Sequence, residues 1–369
     1  MKILCIHQGW ELYGSDRSFL LNLEILKKIY PDNLELEVII PCHGPIVEEI
    51  KKITPNLNIE DIGKIEKKQA KKNPIKSIFK ALMASFNARK KMKKADLVYI
   101  NTIVPFGYLI GSFLLSKRVI IHVREIPSPV VAKIFKLWFK ICRVHLIFNS
   151  YQTQKAFFMT NYKRGHVILN AVSQIPKIDI QEKDSNIINL LLIGRINAWK
   201  GHEFLLNSFF RLDNLSKKKY RIRFVGDSPM GQEFYKDNFL KKIEDLQLSE
   251  YIEIVSFSDN PNTHYNWADI VIAPSTLPEP FGRVAVEAFS NFKPVIAANH
   301  GGLSDIIIHG FNGWHFEPKN LDALSQLLYS IPQNKETIKE LGKNARNSFL
   351  EKYSIKEYEN NFKSFLKSI

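Results

Sequence analysis

Two acidic side chains eight positions apart, Glu279 and Glu287, mark the stretch of this chain best suited to chemistry. It runs ADIVIAPSTLPEPFGRVAVEAFSNFKPVIAANHGGLSDIIIHGFNGWHFEP from Ala268 to Pro318. The apolar run Ile270–Ala273 reads as a buried strand, Pro280 and Gly282 as a turn, and a helix starts near Arg283. Glu279 then lies at the carboxyl side of the strand and Glu287 one to two turns inside the helix. Open α/β sheets hold their ligands at that edge. Free amides at a helix start suit hydroxyls or phosphate, and carboxylates accept from sugar hydroxyls or pair bidentately with a diol.

A cationic pair precedes this stretch. Arg195 and Lys200 stand in Gly194-Arg195-Ile196-Asn197-Ala198-Trp199-Lys200-Gly201, just after the apolar run Ile188–Ile193. From one strand–helix loop a planar guanidinium and a point charge could reach a single diphosphate and neutralise it as it departs. A solvated loop with two ordinary cations is the plainer reading, and the acidic loop tips the balance towards chemistry. In the first half, Tyr13-Gly14-Ser15-Asp16 follows the first strand, and Ser15 could donate to a phosphate. His122-Val123-Arg124-Glu125 and Asn149-Ser150 end two later strands. That position favours a site role for His122, while Arg124 and Glu125 could instead brace one another.

The elements that must hold these residues alternate. Ile3–Ile6, Leu36–Ile40, Asp96–Ile100, Val119–Val123 and Leu146–Asn149 read as strands with helical patterns between them. The order restarts with Ile188–Ile193, Arg221–Val225, Ile252–Val255, Ile270–Ala273 and Pro294–Ala297. Such alternation predicts two mostly parallel sheets covered by helices, hence two α/β domains facing one another. A length of 369 residues also exceeds what one core usually holds. Polar Ile175–Asp184, with Pro176, reads as the linker, which sets domains at 1–176 and 177–350. The segment 351–369 reads as a terminal helix packing back on the first domain, with Tyr358, Phe362, Phe365 and Leu366 on one face.

Fifty-two Lys and Arg against 37 Asp and Glu leave a formal charge of +15, which suits a polyanionic neighbour or a plain Lys-rich surface. Cys5, Cys42 and Cys142 form neither a disulfide framework nor a zinc motif, and a reducing setting is the default. Met1-Lys2 and four apolar residues are too short for a signal peptide, and Ile103–Leu115 is too short to span a bilayer. Lys64–Lys94 carries Ile75, Ile78, Phe79, Leu82, Met83 and Phe86 at helical spacing among many lysines. A second stripe, Ile134, Phe135, Leu137, Trp138 and Ile141, is interleaved with Lys133, Lys136 and Lys140. Each stripe suits an anionic membrane surface, or a helix with its apolar side on the sheet and its lysines in water.

Glu279-Pro280-Phe281-Gly282 followed by Glu287 resembles the E-x7-E motif of the retaining glycosyltransferases of family 4, which have the GT-B architecture. Gly194-Arg195 with Lys200-Gly201 resembles their diphosphate-binding element, and Val225-Gly226-Asp227 a turn of their donor domain. Gly301-Gly302-Leu303 and the turn from Gly310 to Gly313 also fit. The resemblance covers nearly the whole chain and implies a nucleotide-sugar donor, UDP- or GDP-linked, with no metal and no other cofactor. It implies that Arg195 and Lys200 grip the diphosphate and Glu287 binds the ribose. Glu279, with Pro280 and the backbone of Phe281 and Gly282, would hold the transferred hexose or N-acetylhexosamine. Arg283 and Val284 would lie near phosphate and ribose, and Phe257 near the base. His122 matches a position that contacts the transferred sugar, and Gly14 with Ser15 matches the glycine loop under the phosphates. The resemblance implies retention by same-face attack, with lipid-linked glycans, lipopolysaccharide cores, phosphoinositol lipids or small metabolites as acceptors. The implied setting is the cytoplasm, at the inner membrane face, in surface polysaccharide synthesis. A sugar-nucleotide epimerase, or a basic membrane or nucleic-acid binder, shares parts of this pattern, although no nucleic-acid motif stands here.

Overall fold

The computed structural model describes residues 1–12, 14–64, 73–115, 118–174, 187–258, 260–331 and 335–369, apart from the side chains at 74, 75, 77, 78 and 335. The expected linker 175–184, the 176/177 boundary and Tyr13 therefore lie outside the described residues, as do the side chains of Ile75 and Ile78. The chain divides into two compact units, Met1–Asn170 with Glu359–Ile369, and Ala171–Tyr358.

The first unit holds β1 (Lys2–His7), β2 (Glu35–Ile40), β3 (Leu57–Ile59), β4 (Leu97–Asn101), β5 (Arg118–Val123), β6 (His145–Phe148) and β7 (Gly165–Val167). They form one sheet in the order β3-β2-β1-β4-β5-β6-β7, every pair parallel. Continuous runs such as Ile3–Ile6 and Val119–Val123 are buried on both faces, as a helix-covered parallel sheet requires. The Glu359–Ser368 part of the helix Ile355–Ser368 closes this unit. Phe362 packs edge-on against Tyr99 at 6.2 Å, and Phe365 meets the rings of His145 and His166. Tyr358, Phe362, Phe365 and Leu366 are all buried, as their common helical face predicts.

The second unit holds β8 (Ile188–Ile193), β9 (Tyr220–Val225), β10 (Ile252–Val255), β11 (Ile270–Ala273), β12 (Val295–Ala298) and β13 (Gly313–Phe316). Their order is β10-β9-β8-β11-β12-β13, again wholly parallel. Both sheets start in the middle, build one way and then reverse. The reversal opens a crevice at the carboxyl ends of β1 and β4 in one unit, and of β8 and β11 in the other.

The amphipathic helices depart from the plainer expectation. Phe79, Leu82, Met83 and Phe86 face solvent from the helix Pro74–Lys93, and Ile134, Leu137 and Ile141 face solvent from the helix Pro129–Cys142. Phe135 turns inward instead, so the second stripe divides between two faces.

Candidate functional site: two switch-point clusters

The loop after β8 is built on glycines. Gly194 and Gly226 follow β8 and β9, and a Cβ on Gly226 would stand 2.2 Å from the Gly194 carbonyl oxygen. Gly201 takes φ +84°, and a Cβ there would meet the Pro274 carbonyl oxygen at 2.0 Å. No side chain fits at either contact, so the turns after β8 and β9 meet backbone to backbone, as do the Gly201 helix start and the residue after β11. The Asn197 side chain accepts from the amides of Trp199 and Lys200, and the Trp199 carbonyl accepts from the Thr276 amide at 2.8 Å.

That contact brings Lys200 to Glu279, whose charged groups lie 2.8 Å apart. Ser275 Oγ donates to the same carboxylate oxygen, and the Glu279 carbonyl accepts from the Gly302 amide at 2.7 Å. His300 Nε2 donates to the Ser275 carbonyl at 2.7 Å. Burial alone would push the Glu279 carboxyl up, but Lys200 and Ser275 outweigh it and hold it below the usual carboxylate range. Lys200 Nζ also lies over the Trp199 ring, 4.7 Å from its centre. Arg195 is exposed on the same loop.

Gly282, at φ +107°, starts the helix Arg283–Ser290. The Glu287 carboxylate has both oxygens engaged, one by Arg283 Nε at 2.6 Å and one by the Tyr265 hydroxyl at 2.7 Å. Arg283 is thus a clamp on Glu287. Pro280 and Val284 are half-buried, and the Phe281 ring is buried, edge-on to Tyr353 at 6.1 Å. Phe257 is exposed, and its amide donates to Asp227 at 2.7 Å. Lys236, 2.5 Å from Asp227, fixes that carboxylate and holds it below its ordinary range.

In the first unit, His7 at the end of β1 pairs in register with Asn101 at the end of β4, and Asn101 with His122 on β5. All three are fully buried. The direction of each hydrogen bond follows from groups that can only donate or only accept. Arg124 Nε donates to Asn101 Oδ1 at 2.7 Å, so Asn101 Nδ2 donates to His7 Nδ1 at 2.8 Å. His7 Nε2 then carries the proton it gives to Asp16 at 2.6 Å. Arg124 also donates to His122 Nδ1 at 3.2 Å, where the Tyr99 hydroxyl lies at 2.7 Å, and Asn22 donates to Tyr99 at 2.5 Å. With Nδ1 accepting, the proton of neutral His122 resides on Nε2, which is buried and finds no partner among the described residues. Burial, then the Arg124 charge, push His122 well below its ordinary value, so the ring stays neutral and keeps Nε2–H as a donor.

The expected bracing of Arg124 by Glu125 takes another form. The guanidinium reaches Asn101, His122 and Asn170, the last at 2.8 Å. The Glu125 carboxylate accepts instead from the amides of Arg124 and Ile103, and burial pushes it up to about 7. Gly14 and Ser15 lie in the first turn of the helix Gly14–Ile29 rather than in an open loop. Ser150 caps the helix Tyr151–Ala156, accepting from the Thr153 amide.

The structure thus joins Lys200 to Glu279 and Arg283 to Glu287 within the second unit, while Gly14, Ser15 and His122 belong to the first. Sequence reasoning missed Ser275, Tyr265 and Lys236, and also His7, Tyr99 and Asn101. The polar residues His7 and Asn101, each closing an apolar run, were the available signal. Among the described residues no group of three or more His, Cys, Asp or Glu side chains could hold a metal ion. No helix among them is long and apolar enough to cross a membrane.

Comparison with known proteins adds to this geometry. Residues 173–348 match the family described as Glycosyl transferases group 1. The lipopolysaccharide 1,2-N-acetylglucosaminetransferase of Salmonella typhimurium is 29% identical over 184 residues, 48% of each chain. The uncharacterized glycosyltransferase MJ1178 of Methanocaldococcus jannaschii is 31% identical over 194 residues, 52% of this chain and 50% of its own. The chain therefore spans about half the length of these curated relatives. Anabaena Alr3699/HepE, solved in complex with UDP and glucose, superposes over all of both chains with a TM-score of 0.79 at 20% identity. The lipopolysaccharide outer core galactosyltransferase WaaB, in its apo form, superposes over all of this chain and 99% of its own with a TM-score of 0.73 at 16% identity. The chain accordingly has the two-Rossmann-domain GT-B fold, and its second unit carries the segment that matches the group 1 glycosyl transferases.

Proposed function

We propose that the protein is a retaining hexosyltransferase of the family 4 type. It moves a hexose or N-acetylhexosamine from a UDP- or GDP-linked donor to a glycan or lipid-linked acceptor in surface polysaccharide synthesis. The observation that carries this reading is the Lys200–Glu279 pair at the reversal point of the six-stranded sheet, inside the matched segment. In this reading 177–350 binds the nucleotide sugar, 1–176 binds the acceptor, and 351–369 braces the acceptor domain.

Arg195 and Lys200 take the diphosphate and stabilise its charge as the sugar leaves. Glu279, Pro280 and the amides near Phe281 and Gly282 orient the sugar. Glu287, held by Arg283 and Tyr265, accepts from the ribose hydroxyls, with Val284 beside it and Phe257 against the base. His122 donates a hydrogen bond from its Nε2–H to a sugar oxygen, and Gly14 and Ser15 meet a phosphate. The chain works in the cytoplasm, where the acceptor is presented at the inner membrane face. No metal enters this scheme, because the two cations supply the charge.

The test is a donor screen. The protein is incubated with UDP- and GDP-linked hexoses and N-acetylhexosamines while thermal stabilisation and released nucleotide are followed. Stabilisation by one nucleotide with slow release from one donor is expected; both should fall in Lys200→Ala and Arg195→Ala relative to the unaltered chain, while Glu279→Ala should lose release and keep nucleotide stabilisation largely intact. Release that is equal in all of these variants removes the assignment.

A further inference from the structure

The helix Pro129–Cys142 is apolar on two opposite sides. Ala132, Phe135, Phe139 and Cys142 enter the core. Val130, Ile134, Leu137 and Ile141 follow one another at spacings of four, three and four, which gathers them in one stripe on the far side. Each is at least 44% exposed, and Val130 reaches 70%. Exposed Lys133 and Lys140 border the stripe.

The helix Pro74–Lys93 repeats this plan. Its inward residues are mostly small, Ala81, Ser85, Ala88 and Met92, whereas Phe79, Leu82, Met83 and Phe86 point outward. Exposed Lys90 and Lys93 continue the same outward stripe. Between the two helices the turn after Gly111 adds exposed Phe113 and Leu114. That turn is pinned from both sides. Arg89 donates to the carbonyls of Gly111 at 3.0 Å and Phe113 at 2.5 Å, and Trp138 stacks on Phe113 at 5.4 Å. A groove of about 290 Å³, lined by Phe86, Arg89, Phe113, Leu114 and Trp138, joins the two faces.

Single exposed apolar side chains are ordinary, but a contiguous set on two helices and a fixed turn marks an interaction surface. Its charge names the partner. Neither helix contains an acidic residue, and every charge on both is positive. A second copy of the chain would set lysine against lysine. We propose that these two helices and the Phe113–Leu114 turn dock the protein on an anionic lipid bilayer, with the apolar stripes below the headgroups and the lysines among them. The surface is where the membrane-borne acceptor of the proposed reaction is met, and in that respect it rests on that reading. Vesicle binding is measured without donor or acceptor, so its failure is separate from a failure of transfer.

The experiment is co-sedimentation of the full chain with phosphatidylglycerol–phosphatidylethanolamine vesicles and with phosphatidylcholine vesicles, at low and high salt. Binding to the anionic vesicles that weakens with salt is expected. Ile134→Ser with Leu137→Ser, and separately Phe79→Ser with Phe86→Ser, should each weaken binding at least about tenfold. Removing Lys90, Lys93, Lys133 and Lys140 should weaken it by about fivefold per lysine. All the altered side chains are exposed, so the unfolding midpoint should stay in place. Failure of the unaltered chain to bind, equal binding to phosphatidylcholine, or binding unchanged in the serine variants would overturn the proposal. A serine variant that turns a dimer into a monomer, without vesicle binding by either, would assign the face to a second copy and overturn it equally.

Discussion

Replacing Lys200 by Met removes the cation from a carboxylate that is almost wholly buried. At 2.8 Å and an effective dielectric of about 20, the gross attraction between the two charges is about 6 kcal/mol. Desolvation of both ions consumes most of this, so the intact pair adds little net stability. Loss of one partner is another matter, because Glu279 then stays desolvated and unpaired, at a cost of about 3–5 kcal/mol. The cost has a definite pH sign. In the intact chain Glu279 is held below its ordinary value, so its contribution is present above the unfolded carboxyl value and fades as pH falls. Without Lys200, burial raises Glu279 above that value, and the variant loses stability as pH rises. The gap between the two proteins should therefore be full near neutrality and close in acid. Global unfolding of a two-unit chain is a poor gauge, so the assay is amide exchange in β8 and β11, which flank the pair. Lys200→Met should lower protection there by two or more orders of magnitude near neutral pH. Glu279→Gln in the same chain should restore most of it. Additive effects of the two substitutions, or a loss indifferent to pH, would refute the reasoning.

Glu125→Gln should stabilise the chain by about 1–3 kcal/mol above pH ~7 and do little in acid, because a carboxyl raised to about 7 costs stability only as pH climbs past its unfolded value. Thermal unfolding across that range checks it. Nitrogen NMR should find His122 neutral and protonated on Nε2 even at pH ~6, and an imidazolium there would break the derived chain of donors. Gly201→Ala should cost more than about 3 kcal/mol or prevent folding, since its Cβ would strike the Pro274 carbonyl at a positive φ, and an unfolding midpoint within a few degrees of the original would contradict this. Tyr265→Phe should leave one Glu287 oxygen unsatisfied and cost about 1–3 kcal/mol. Its nucleotide affinity should fall with it, which calorimetry would read.

The central strands were legible because a parallel sheet buries both faces, so Ile188–Ile193 and Ile270–Ala273 stand out as apolar runs. The strands Leu57–Ile59, Gly165–Val167 and Gly313–Phe316 were not, being short edge members with polar or glycine neighbours. Sequence order pointed to Glu279 and Lys200 separately, but nothing in their spacing reveals that 79 residues of chain bring them together. Tyr265 was equally hidden, reaching Glu287 from 22 positions away. The basic helix shows a deeper limit. Periodicity reports that a face is apolar, not which way it turns, and here Ala81, Ser85 and Ala88 are buried on the side that meets the neighbouring helix Phe106–Gly111, closer than Phe79 or Phe86 could fit.

The glycine contacts carry a consequence for how this protein can change. Where Gly226 rests on the Gly194 carbonyl and Gly201 on that of Pro274, backbones touch with no side chain interposed. Such joints accept no gradual adjustment, since even one methyl group collides. Lineages that alter what the second unit recognises must therefore work through tips that protrude past the joints, such as Phe257 and the Thr276–Pro278 turn. In a survey of all single substitutions, tolerance should change abruptly within a few positions, from nearly none at the joints to broad acceptance at those tips.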